Sequence, residues 1–145
     1  MYEQKQELHI PNKFGSEKIV MEQVATLAKE IGFTDDRIED LKTAVSEACL
    51  NAIEHGNKLN KTTRVGISLS LNGTKMKVSV EDKGSGIRKK VNEPNIDNKM
   101  NGTETPRGWG VFLIKRLVDD AKFESKEDGG NVTTMIIHLD KNNHK

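Results

Sequence analysis

The chain has 145 residues, enough to bury one hydrophobic core and too few for two. Its charged residues, 31% of the total, cancel to a net charge of +1, so there is no basic field of the kind that holds nucleic acid or an anionic membrane. The single cysteine, Cys49, excludes an internal disulfide and a cysteine-rich zinc site, and its carboxylate neighbours mark it as a small core residue rather than a nucleophile.

The four histidines (His9, His55, His138 and His144) show no metal-ligand spacing. Met1 to Glu7 is too polar for a signal peptide and no apolar run is long enough to span a bilayer, which sets the expectation of a cytoplasmic protein without membrane contact.

In chain order, Glu3 to Ile10 reads as a first strand of poor alternation, stopped by Pro11–Asn12. From Ser16 to Ile31, Val20, Val24, Leu27 and Ile31 recur at the spacing of one buried helical face. Ser16 is placed to cap this helix, Gly32 to stop it in the left-handed conformation, and Phe33 to fold back on its last turn. A second helix starts at Thr34, with Asp35 and Asp36 where the dipole favours negative charge, and carries a stripe of Ile38, Leu41, Val45, Ala48 and Ala52 as far as Gly56–Asn57. Arg64 to Leu71 alternates strictly; Asn72–Gly73 then predicts a hairpin, and Met76, Val78 and Val80 point inward on the return strand, which runs into Glu81–Asp82.

Periodicity vanishes from Ile87 to Pro106, a long connection with two prolines and four asparagines between two glycine motifs; it reads as a lid, about residues 87–107. Val111 to Val118 is an apolar helix with Lys115 and Arg116 outward. Two more strands, Ala121–Ser125 and Val132–Leu139, are joined across Asp128–Gly129–Gly130, and Lys141 to Lys145 is a polar tail. The hairpins require antiparallel neighbours. Residues 1–145 are therefore expected to form a single α+β domain, a two-layer sandwich of a mixed, mostly antiparallel sheet with helices on one face.

Three stretches can carry chemistry together. Glu47 and Asn51 stand four apart on the second helix, stacked at the edge of its apolar stripe, with the small Ala44 one turn before. The amide oxygen of Asn51 suits Mg²⁺, and Glu47 can orient or deprotonate an attacking hydroxyl or water. Taken alone, the pair is equally an ordinary solvated helix face, and Glu54 and His55 fit that description better. Asp82 ends an apolar strand, where its carboxylate can accept the exocyclic amine proton of adenine, a contact guanine does not offer. Gly84 and Gly86 let backbone approach a flat base, although D-x-G-x-G also arises by chance in loops that need positive φ. Gly108–Trp109–Gly110 directly precedes an apolar helix, whose first amides and dipole form an anion site for phosphates; the alternative is a hinge with Trp109 as core filler. Arg107 adds a cation for the γ-phosphate or for a partner's carboxylate, and Ile87 and Val111, directly after the two glycine segments, complete the nucleotide contacts. No G-x-x-x-x-G-K-[ST] sequence occurs, and Gly84 to Lys89 lacks the third glycine of a dinucleotide fold.

The segment Ile38–Ala52, with Glu47 and Asn51 inside it, closely resembles the N-box of bacterial anti-sigma factor serine-protein kinases, members of the ATPase superfamily shared by gyrase and histidine kinases. Asp82-x-Gly84-x-Gly86 looks like that family's first glycine box and Arg107 to Ile114 like its second, and the similarity runs from about Pro11 to Leu139. The resemblance implies the histidine-kinase-like ATPase fold and an ATP–Mg²⁺ site, with Asn51 as metal ligand, Asp82 on adenine and Glu47 as base toward a substrate serine. It also implies a homodimer that binds a sigma factor and phosphorylates a small anti-sigma factor antagonist. His55–Gly56–Asn57 and the lid Arg88–Pro106 depart from the family pattern.

Two functions are thereby expected as alternatives. One is an ATP-dependent protein-serine kinase that also sequesters a sigma factor; the other is a nucleotide-gated partner-binding module in a partner-switching pathway that transfers nothing. The catalytic half of a histidine kinase is excluded, because the chain has no helical pair bearing a phospho-accepting histidine.

Overall fold

The computed structural model describes residues 3–56, 63–83, 105–127 and 129–139. Five strands, β1 (Glu3–Pro11), β2 (Arg64–Asn72), β3 (Lys75–Asp82), β4 (Asp120–Ser125) and β5 (Asn131–His138), form one sheet in the order β1-β2-β3-β5-β4. All four pairings are antiparallel, where the sequence allowed a mixed sheet. Three helices, α1 (Glu17–Glu30), α2 (Asp35–Asn51) and α3 (Thr105–Leu117), complete the α+β sandwich.

The strand alternation decides which face the helices cover. Val65, Ile67, Leu69 and Leu71 of β2 and Met76, Val78 and Val80 of β3 are buried, and the register continues the same face into Met135 and Ile137 of β5. Against it lie Val20, Val24 and Leu27 of α1, Leu41, Val45 and Ala48 of α2 and Ile114 of α3. Truncating the fully buried Leu41 to Ala would cost about 2–5 kcal/mol, the lost transfer energy plus the cavity left behind.

Local signals mostly act as expected, with three shifts. Gly32 has a φ of 101°, and its amide and that of Phe33 bond back to Lys29 and Ala28, which closes α1 and buries Phe33. Ser16 does stand at the N-cap of α1, but its backbone is already helical and its side chain makes no capping bond; instead the Glu17 carboxylate accepts from the Gly15 amide at 2.7 Å. The hairpin turn falls one residue later than expected: Asn72 pairs with Lys75, so Gly73 (φ 64°) and Thr74 are its two central residues. Third, α2 ends at Asn51 and continues as one π-helical turn, Ala52–Gly56. Such wide turns are frequent at functional sites.

The start of α2 is tied to the β4–β5 edge of the sheet. Thr34 accepts from the Arg37 amide at 3.3 Å, while the Arg37 guanidinium donates to Asp119 at 2.8 Å and to the His138 carbonyl at 3.0 Å. The same Asp119 oxygen accepts from the His138 amide at 2.6 Å. This mostly buried pair holds α2 over β3 and β5 and so fixes where its Glu47–Asn51 face points.

Candidate active site

α2 brings its polar pair to the seam with α3. A Cβ added at Gly110 would stand 2.8 Å from Asn51 Nδ2 and 3.0 Å from Glu47 Oε1. A residue without a side chain lets α3 cross the Glu47–Asn51 face this closely without displacing either tip. Both side chains are half-buried, and burial pushes the Glu47 carboxyl above its ordinary value. A carboxyl raised toward neutrality is a better proton acceptor than one in free solution. Ala44, expected to leave room beside the pair, is instead fully buried in the core. Cys49 is buried too, and its thiol is pushed up to about 12 by that burial and by the charge of Glu17, which keeps it protonated and unreactive.

β3 delivers Asp82 to the same region. Asp82 is 7% exposed, and its Oδ1 accepts from the Asn131 amide at 3.2 Å and from Asn131 Nδ2 at 3.4 Å. Gly130 makes this approach possible: a Cβ there would lie 2.4 Å from the Asp82 carbonyl oxygen, inside any allowed contact.

Between these two ends opens a cleft of about 170 Å³. Ala48, Ala52, Val80 and Val111 are among its apolar walls, and Asn51 and Asp82 are among its polar points. Three of the expected site residues, Asn51, Asp82 and Val111, therefore line one cavity, and Glu47 sits one helical turn away at the α2–α3 seam.

The second glycine segment is placed differently from the expectation. Gly108, Trp109 and Gly110 lie within α3, which begins at Thr105 rather than at Val111. In a helix that starts there, the first-turn amides lacking an intrahelical acceptor belong to Thr105 and Arg107, since Pro106 has none. The helix begins early because Pro106 suits a first turn, a start signal that the missing apolar period concealed. Gly110 thus serves helix–helix packing against Glu47 and Asn51. Gly84, Gly86 and Ile87, the lid as far as residue 104, and the side chains of Arg107 and Trp109 lie outside the described residues.

Sequence reasoning missed Asn131, Ser125 and Phe123, which also line the cleft. No motif announces them. They reach the site through the β3–β5–β4 register, in which Asp82 faces Asn131 and Asn131 faces Ser125.

A hard cation shared with phosphate groups needs only one or two protein oxygens. Asn51 supplies such an oxygen at the cleft, and among the described residues no cluster of three or more His, Cys, Asp or Glu could hold a metal by itself. The donor set fits a magnesium ion bound together with nucleotide phosphates.

The family profile of the histidine kinase-like ATPase domain matches residues 10–137, a span that includes every described part of the cleft. The chain belongs to this family. A histidine kinase-like ATPase domain uses ATP. Relatives include a protein named serine-protein kinase RsbW from Halalkalibacterium halodurans, 32% identical over 93% of this chain and 83% of its own length. Another, named anti-sigma F factor, from Thermoanaerobacter sp. (strain X514), is 31% identical over 95% of this chain and 96% of its own. The fold also matches the RsbU and RsbW domains of a Mycobacterium tuberculosis protein, at a TM-score of 0.66 and 22% identity, over 94% of this chain and 32% of that one. A chain of the SiaB–SiaC complex from Pseudomonas aeruginosa matches at a TM-score of 0.65 and 14% identity, over 91% of this chain and 88% of its own. No described helix of this ATPase domain is long and apolar enough to cross a membrane.

Proposed function

We propose that this histidine kinase-like ATPase domain is an ATP-dependent protein-serine kinase that also sequesters a sigma factor and phosphorylates that factor's antagonist. The observation that carries the reading is the convergence of Asn51, Asp82 and Val111 on one cleft, with Glu47 at its α2–α3 seam. The names of the relatives, serine-protein kinase and anti-sigma F factor, support the same assignment.

In this reading Asp82 recognises the adenine amine, Val80, Val111 and Ala48 enclose the purine, and the first amides of α3 face the phosphates. Asn51 would hold Mg²⁺, which when bound neutralises phosphate charge. Glu47 takes the proton from the substrate serine hydroxyl as its oxygen bonds to the γ-phosphorus and ADP leaves. The raised pKa of Glu47 favours that transfer. Positioning by α2 and electrostatic stabilisation supply most of the remaining rate.

A homodimer is part of the proposal. β1 is one edge of the sheet, and Phe14 and Ile19, just beyond it, are 53% and 51% exposed. Light scattering of wild type against Phe14→Asp/Ile19→Asp tests this: a mass of one chain for the wild type would remove the dimer.

The kinase itself is tested with radiolabelled ATP, magnesium and serine-bearing partners captured from the native cell. Wild type labels a partner, and Asn51→Ala, still folded, transfers at least about 10³-fold more slowly, the loss expected for a group needed to hold the phosphates. Transfer by Asn51→Ala at the wild-type rate would refute the site. ATP-dependent capture of a partner with no label transferred would leave the nucleotide-gated binding module instead.

A further inference from the structure

Asp82 does not stand alone at the end of the sheet. The register sets Asp82 of β3 opposite Asn131 of β5, and Asn131 opposite Ser125 of β4, so three polar side chains form a row on the cleft side of three adjacent strands. Every other row on that face is apolar or mixed, as with Val78 opposite Met135. The row is joined end to end. Ser125 Oγ donates to Asn131 Oδ1 at 3.2 Å, and Asn131 Nδ2 donates to Asp82 Oδ1 at 3.4 Å.

This arrangement has a direction. The acceptor-only Asp82 carboxylate takes the Asn131 amide nitrogen, and the Ser125 hydroxyl, donating to the amide oxygen, holds that orientation. Together with the Asn131 main-chain amide, two donors then converge on the same carboxylate oxygen. Two donors on one oxygen fix the rotation of the carboxylate and therefore the direction of its other oxygen. Gly130, with no room for a Cβ against the Asp82 carbonyl, keeps β5 close enough for both bonds.

We propose that Asn131, itself oriented by Ser125, is a positioning residue that aims the Asp82 carboxylate and so sets the preference for a purine with a 6-amino group over one with a 6-carbonyl. The proposal rests on the reading of Asp82 as the group that recognises the base. A carboxylate held at the right angle accepts from the adenine amine and repels the guanine carbonyl. One free to rotate accepts less well from the first and avoids the second at little cost. The discrimination thus depends on a residue that need not touch the nucleotide's amine at all.

The test is a binding cycle with three nucleotides: ATP, GTP and purine riboside triphosphate, which lacks any 6-substituent. Asn131→Ala keeps the main-chain bond to Asp82 and loses only the side-chain one. It should weaken ATP about fivefold, the net worth of one ordinary hydrogen bond, and leave purine riboside triphosphate within about twofold. ATP-over-GTP preference should fall by a similar factor, while the transfer rate at saturating ATP stays within about twofold. Ser125→Ala, at an exposed position that folding tolerates, should move the same ratios in the same direction and less far. Equal weakening of ATP and purine riboside triphosphate, or no weakening of either, would overturn the proposal by making Asn131 merely structural. Asp82→Asn separates the two layers. If it selectively loses ATP while Asn131→Ala has no selective effect, the base reading survives and the positioning role falls. If Asp82→Asn binds all three nucleotides as the wild type does, both fall.

Discussion

At one end of the cleft two helices cross at Gly110 over Glu47 and Asn51; at the other, two strands meet at Gly130 beside Asp82. Both ends need a glycine for close approach, yet the atoms that a side chain would strike differ in kind. At Gly110 they are the tips of two side chains, which can rotate. At Gly130 the obstacle is a main-chain carbonyl held in an antiparallel ladder, which cannot move without opening strand pairs. The helical end can therefore be disturbed chemically without disturbing the fold, whereas the strand end couples the base-recognising carboxylate to the stability of the sheet.

The largest expected effect tests the chemical end. Glu47→Gln should bind ATP normally and transfer phosphate about 10²–10⁴-fold more slowly, the usual contribution of a general base. Loss of ATP binding in a folded Glu47→Gln protein would make Glu47 structural and erase the contrast. Next comes Gly130→Ala. Its Cβ collides with fixed backbone, so thermal or denaturant unfolding should report a loss of about 1–3 kcal/mol. An unchanged midpoint would mean that the two strands separate there at no cost.

Gly110→Ala sharpens the comparison from the other side. Alanine in a helix interior gains about 1 kcal/mol over glycine, which offsets the displacement of the Glu47 and Asn51 tips. Stability should hardly change, while transfer falls about tenfold because both groups must turn away from their working positions. A rate equal to wild type would show that the α2–α3 seam does not set the catalytic geometry.

The smallest effect concerns the Glu47 charge. Its pKa is raised on folding, so the folded protein binds more protons than the unfolded chain as pH rises past the unfolded value of about 4.3, and stability falls across that window. Glu47→Gln removes this loss. The variant should unfold slightly above wild type at pH 8 and together with it below about pH 4. A gain that persists at low pH would point to a packing effect rather than to the buried charge.

Much of this site is legible in the chain because its signals are local. Glu47 and Asn51 share a helix face by virtue of being four apart, and Asp82 follows a strictly alternating strand into a burial that its position announced. The Gly108–Gly110 segment was misplaced for the converse reason. Helix start signals without an apolar period look like loop, and the packing of α3 on α2 is what shows the helix extending back to Thr105. The role of Gly110 could not be read either, since a glycine needed for phosphate and one needed for a neighbouring helix are the same letter.

The amino-acid sequence by itself determined the elements, the face each one buries and the chemical kinds of group that the cleft holds, because those follow from periodicity and residue type over a few positions. Only the tertiary structure decided which distant residues stand beside them: Asn131 and Ser125 at Asp82, Gly110 at Glu47 and Asn51, Asp119 at Arg37. Strand register and helix crossing join positions tens of residues apart, and no short-range pattern encodes their distance.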